Sequence, residues 1–100
     1  MKVKWTAAAK ADLESVERQI AQDSEKNAKK VVKRIVQRSR QLRDFPELGA
    51  SVPEFEHLGV REILEGPFRI LYWIESRQVE ILHVYHGARR LPRRLYIDDE

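Results

Sequence analysis

The hydrophobic period changes once along this chain, and that change limits the fold more than any other feature. Between residues 6 and 42 apolar side chains recur at helical spacing, and between residues 57 and 85 they follow the shorter period of strands. The first half therefore predicts helices and the second a sheet. Val3-Lys4-Trp5 reads as a short opening strand, after which Thr6 is placed to cap a helix with Ala9, Leu13, Val16 and Ile20 on one stripe. Asp23-Ser24 interrupts that stripe, and a second helix carries Ala28, Val31, Val32, Ile35 and Leu42 inward. So short a connection predicts an antiparallel hairpin.

Residues 44 to 49, with Pro46 and Gly49 among them, end the second helix, and Pro53 with Glu47, Glu54 and Glu56 marks an acidic surface loop. Beyond it, residues 57 to 64, 68 to 75 and 79 to 85 predict three strands, joined by turns at Glu65-Gly66-Pro67 and Ser76-Arg77. The expected class is α+β: an N-terminal antiparallel helix hairpin on one face of a small, twisted, mainly antiparallel sheet. With 100 residues, 42% of them apolar, the span 1–100 suits one domain with one core. The middle strand alternates Phe68, Ile70, Tyr72 and Ile74 with Arg69, Leu71 and Trp73, so both of its faces are largely apolar. Helices cover only one. The other is expected to meet a partner protein, unless the loop or the C-terminal segment folds over it.

Cysteine is absent, which excludes disulfide and thiolate chemistry and makes a reducing compartment, the cytoplasm, the expected location. No apolar run is long enough for a signal peptide or a membrane span. Nineteen Lys and Arg against sixteen Asp and Glu leave a net charge of only +3, too little to argue for nucleic acid. Its distribution is uneven: residues 26 to 43 carry eight cations and no anion, whereas the chain closes on Asp98-Asp99-Glu100. A solvated helix face and an anionic partner both fit that run.

Only His57, His83 and His86 offer nitrogen ligands, and no glycine-rich phosphate loop, CxxC or HExxH is present, so neither a metal nor a cofactor is expected. No serine lies in a nucleophile-elbow context. The stretch His83-Val84-Tyr85-His86-Gly87-Ala88-Arg89-Arg90 is different, because it brings imidazoles, a phenol and guanidinium groups to the end of a strand. Cleavage of RNA through the 2′-hydroxyl needs a base, an acid and cations near the phosphorane, and these side chains can supply all three.

The order of these segments resembles the ParE/RelE toxin superfamily of type II toxin–antitoxin modules, especially its ParE or plasmid-stabilisation branch. Trp5-Thr6, the alanines that follow and Asp12-Leu13 resemble the family's first strand and helix start, and Leu42, Pro46 and Gly49 its helix-to-sheet joint. Two strings are more specific: Val60-Arg61-Glu62-Ile63-Leu64-Glu65-Gly66-Pro67-Phe68-Arg69-Ile70-Leu71-Tyr72, and Val79-Glu80-Ile81-Leu82-His83-Val84-Tyr85-His86-Gly87-Ala88-Arg89. The resemblance implies growth arrest or locus maintenance, and a cognate antitoxin that lays a helix and an extended segment over the toxin. Leu13, Leu71 and Trp73 are the expected antitoxin contacts.

Within that superfamily the RelE-like branch cuts messenger RNA in the ribosome with basic, arginine and tyrosine side chains. Carried over, its positions fall on Arg69 and Arg89, with His86 as a further candidate and Tyr96 one residue out of step. The places of its two strand lysines fall on Val60 and Glu62, a carboxylate where a cation is needed. Loss of one electrostatic donor at a phosphorane costs about 2.7–4 kcal/mol. The ParE-like branch instead poisons DNA gyrase and has no accepted catalytic residues. The resemblance therefore implies gyrase inhibition first, with Arg61, Arg69, His86, Arg89 and Arg90 contacting the target, and ribosome-dependent mRNA cleavage as the alternative.

Overall fold

Thr6 opens the helical half of the chain. In the computed structural model, which describes residues 1–87, its hydroxyl accepts from the Ala9 N–H at 3.1 Å and caps α1 (Ala7–Ala21). The same hydroxyl donates to the Ile81 carbonyl at 2.8 Å, so the cap also fastens the start of the helix to the sheet. Ser24 caps α2 (Glu25–Arg40) in the same way, accepting from the Asn27 N–H at 3.1 Å. The helices form the expected hairpin, and neither is long and apolar enough to cross a membrane.

The sheet contains β1 (Lys2–Trp5), β2 (Ala50–Ser51), β3 (Arg61–Glu65), β4 (Phe68–Glu75) and β5 (Gln78–His86), in the spatial order β1-β5-β4-β3-β2. β1 runs parallel to β5 and every other pair is antiparallel. The α+β expectation therefore holds, with one parallel edge. Ile63, Ile70, Tyr72, Val79, Ile81 and Val84 pack with Ala9, Ile35 and Leu42 to make the core between sheet and helices. Leu71 pairs with His83 and Tyr72 with Ile81, so Leu82 is the extra residue of a bulge in β5.

On the opposite face the alternative holds, that the loop folds over it, and not the expected partner protein. This face is covered by the chain itself: a 3₁₀ segment, Pro53–Leu58, lays Phe55 beside Val52 and Val60 over Leu71 and Leu82, and all five are buried. Leu71 has no exposed surface at all (0%) and so cannot be an antitoxin contact in this structure, correcting that expectation. His57 and Leu58 belong to the same segment and not to a strand, so β3 begins at Arg61 where a strand from residue 57 was expected. Pro53 sets the first dihedral of the segment, and Gly59 at φ +73° reverses the chain out of it, a conformation other residues adopt only with strain.

The loop between helices and sheet is pinned from below. The Tyr72 hydroxyl donates to the Pro46 carbonyl and accepts from the Gly49 N–H, each at 2.8 Å. A Cβ on Gly49 would lie 2.7 Å from the Tyr72 ring and 2.6 Å from the Glu62 carbonyl, so only glycine lets the strands close here.

Candidate functional site

Alternation along the paired strands sorts the candidate side chains into two groups. Arg61 pairs with Tyr72 and points to the helix side, whereas Glu62, Leu64 and Arg69 stand on the outer face with Leu71. Arg61 is held by the Gly49 carbonyl at 2.8 Å and the Glu47 carbonyl at 3.3 Å. It anchors the loop, and the structure does not bring it together with Arg69.

Arg69 is paired. Its Nε donates to Glu62 Oε2 at 2.6 Å and a terminal nitrogen lies 2.5 Å from the same oxygen, with side-chain exposures of 19% for Arg69 and 23% for Glu62. Glu62 thus sets an anion directly against the Arg69 guanidinium. Around the pair lies an open concavity of about 500 Å³ lined by Leu64, Gly66, Pro67, His86 and Gly87. The exposed His86 ring packs edge-on against Phe68, its pairing partner, at 5.6 Å between centroids. Arg69 and His86 thus line one hollow, while Arg89, Arg90 and Tyr96 lie outside the described residues.

His83, three residues earlier, plays another part. Its Nδ1 lies 2.9 Å from Asp12 Oδ2, and the same oxygen accepts from the Val84 N–H at 3.0 Å. β1 pairs with β5 only as far as Ile81, so Asp12 takes over the exposed edge of β5 from the first turns of α1. Because a carboxylate only accepts, the Nδ1 of His83 carries the proton. His83 is buried, and its ring stacks on Tyr85 at 5.2 Å, which fixes its orientation beside the hollow. Sequence reasoning missed this tie, since no local pattern joins residues 12 and 83.

Burial pushes the Tyr72 hydroxyl above its ordinary value of 10.0, with smaller opposing effects from the Gly49 hydrogen bond and Arg61. Tyr72 therefore keeps its proton at neutral pH, and its hydroxyl is engaged by the loop backbone on both sides.

A second and larger hollow runs between the helix hairpin and the end of the sheet. It measures about 950 Å³, and both apolar residues (Val16, Ile20, Val31, Phe68, Val84) and polar ones (Asp12, Asp23, Asn27) line it. Leu13 is half-buried against the main core and does not itself line this groove. Trp73 lies half-buried on the outer face, its indole N–H donating to Glu80 Oε1 at 2.7 Å.

A helix hairpin on one side of a five-stranded, mostly antiparallel sheet is the fold of the ParE/RelE toxins. The family model for the ParE toxin of type II toxin–antitoxin systems, parDE, matches residues 3–91, and the chain belongs to that family. The structure is similar to a chain of the chromosomal ParDE toxin–antitoxin system from P. aeruginosa, with a TM-score of 0.72 and 28% identity over 86% of this chain and 95% of that one. It is also similar to a chain of the RelBE2 toxin–antitoxin complex from Mycobacterium tuberculosis, with a TM-score of 0.62 and 25% identity over 85% and 95% of the respective chains. No curated protein matches the chain.

Proposed function

We propose that this toxin arrests growth by inhibiting DNA gyrase in the cytoplasm and is neutralised by a cognate antitoxin. The observation that carries the choice of target is the Glu62–Arg69 ion pair. A ribonuclease of this fold must present uncompensated cations to a phosphorane, and here the central cation already has an anion 2.5 Å away. Binding tolerates that arrangement better than chemistry does, because an arginine in a bidentate or exchanged pair still recognises a carboxylate or phosphate. In this reading Arg69, His86, Arg89 and Arg90 engage the target, and Arg61 acts only by fixing the loop.

The antitoxin surface shifts from the outer sheet face to the groove beside Leu13. The groove is open and lined by apolar and polar side chains together, a composition that suits an amphipathic helix. Trp73 contributes at most the exposed edge of its ring.

The experiment compares inhibition of gyrase supercoiling with cleavage of mRNA on programmed ribosomes, for the parent and for Arg69→Ala and Arg89→Ala. Inhibition of gyrase by the parent, reduced in both variants, with no codon-dependent cleavage, is the expected result. Robust cleavage by the parent, lost in the variants and accompanied by no effect on gyrase, makes the chain a ribosome-dependent ribonuclease.

A further inference from the structure

α2 divides its two sides sharply. Ala28, Ile35 and Ser39 are buried, whereas Lys26, Lys29, Lys30, Lys33, Arg34 and Arg40 are all exposed. Among the described residues none of these six forms an ion pair. Arg38 is not part of the set, because it is engaged by the Leu64 carbonyl at 2.9 Å and by the Gln41 side chain. At roughly 3.6 residues per turn, positions 26, 29, 30, 33 and 40 fall on one stripe opposite the buried side, about 20 Å long.

The rest of the chain has the opposite sign. Residues 26 to 43 hold eight of the nineteen cations and no anion, leaving eleven cations against sixteen anions elsewhere. Such a molecule orients in the field of a polyanion with α2 foremost. The chemistry of the stripe narrows the partner. Protein interfaces are built around an apolar centre depleted in charge, yet the exposed large apolar residues, Met1, Phe45, Leu48, Leu58, Leu64 and Ile74, all lie off α2. A single nucleic-acid strand needs aromatic rings for stacking, and α2 carries none. A membrane surface needs the helix's apolar side, which is spent on the core. The backbone of a duplex needs only a row of cations.

We infer that the exposed side of α2 is a sequence-independent docking surface for the phosphate backbone of double-stranded DNA. The choice of DNA over RNA rests on the proposed target, gyrase, an enzyme that acts on duplex DNA. Lysine at most positions suits the role, because it meets phosphates as a mobile point charge without demanding a fixed geometry.

The test is fluorescence anisotropy of purified toxin with a short labelled DNA duplex of arbitrary sequence, across a range of salt concentrations and without gyrase. Binding should weaken steeply with salt. Each phosphate contact adds about −0.9 to the slope of log K against log salt, so Lys29→Gln, Lys30→Gln and Lys33→Gln together should flatten it by about 2.7. The corresponding triple Lys→Arg variant should keep the parent slope. A parent slope in the triple Gln variant, with the fold intact by circular dichroism, overturns the inference, as does an absence of binding at low salt. Tighter binding to an RNA duplex of the same sequence, or displacement of the DNA by polyglutamate at matched charge, overturns the assignment to DNA. The supercoiling assay is scored apart from these: DNA binding with the expected slope but no gyrase inhibition keeps the docking surface and removes the proposed target.

Discussion

Replacing Tyr72 with Phe removes one oxygen atom and tests how the helical and sheet halves are joined. The hydroxyl makes two hydrogen bonds of 2.8 Å, to the Pro46 carbonyl and from the Gly49 N–H, and Gly49 is buried. Each bond contributes about 0.5–1.5 kcal/mol net, and the Gly49 N–H, once stranded, adds part of its own desolvation, giving about 2–4 kcal/mol of destabilisation. Urea unfolding followed by Trp5 and Trp73 fluorescence measures this directly. The pH dependence supplies a second reading. Burial raises the folded-state pKa of Tyr72 above 10.0, so its stabilisation is complete below that value, where both states hold the proton. As pH rises past it, the unfolded chain releases the proton first and stability falls toward the folded pKa. The Phe variant lacks that component, so the gap between parent and variant should narrow in alkali. A neutral-pH difference under about 0.5 kcal/mol, the range of an ordinary surface change, would refute the argument. So would a gap that widens above pH 10.0.

Phe55→Ala should destabilise by about 3–5 kcal/mol and raise dye binding by the native protein, because it opens the cover over Leu71 and Leu82; unchanged urea midpoint and dye signal would show that the segment is not a cover. Asp12→Ala should cost about 1–3 kcal/mol and speed hydrogen exchange at the Val84 amide, which loses its acceptor; exchange at the parent rate would show that the edge of β5 needs no cap. The β4–β5 turn holds two non-glycine residues at positive φ, Ser76 at 52° and Arg77 at 60°, so Ser76→Asn with Arg77→Gly should raise stability by about 1–2 kcal/mol, read as a higher Tm; no rise would mean the turn is unstrained.

Much of this architecture is legible locally. The helical stripe from Ala9 to Ile20, the caps at Thr6 and Ser24 and the limits of β4 follow from spacing between neighbours in sequence, because periodicity and capping act over a turn or two. The basic run in α2 is equally plain in sequence, and its buried partners settle which side it faces. The site was legible only in part. Arg69 and His86 come together because β4 and β5 form a hairpin, yet no residue count showed that Glu62 would close on Arg69, or that Arg61, one position away, would turn to the other face and hold a loop.

What the sequence determined by itself is the set of elements and their amphipathic faces. It left open which apolar face the chain would cover and which charge would find which partner. An alternating strand carries two candidate faces, and only the reach of residues 52 to 60 across the sheet decided that Phe55, not a partner protein, would bury Leu71. Likewise, Asp12 meets His83 because β1 ends at Trp5, opposite Ile81, and leaves an edge of β5 for α1 to satisfy. Those outcomes depend on contacts between residues far apart in the chain. Local propensity carries no information about such contacts, whereas burying apolar surface and pairing every buried polar group selects among them once the elements pack.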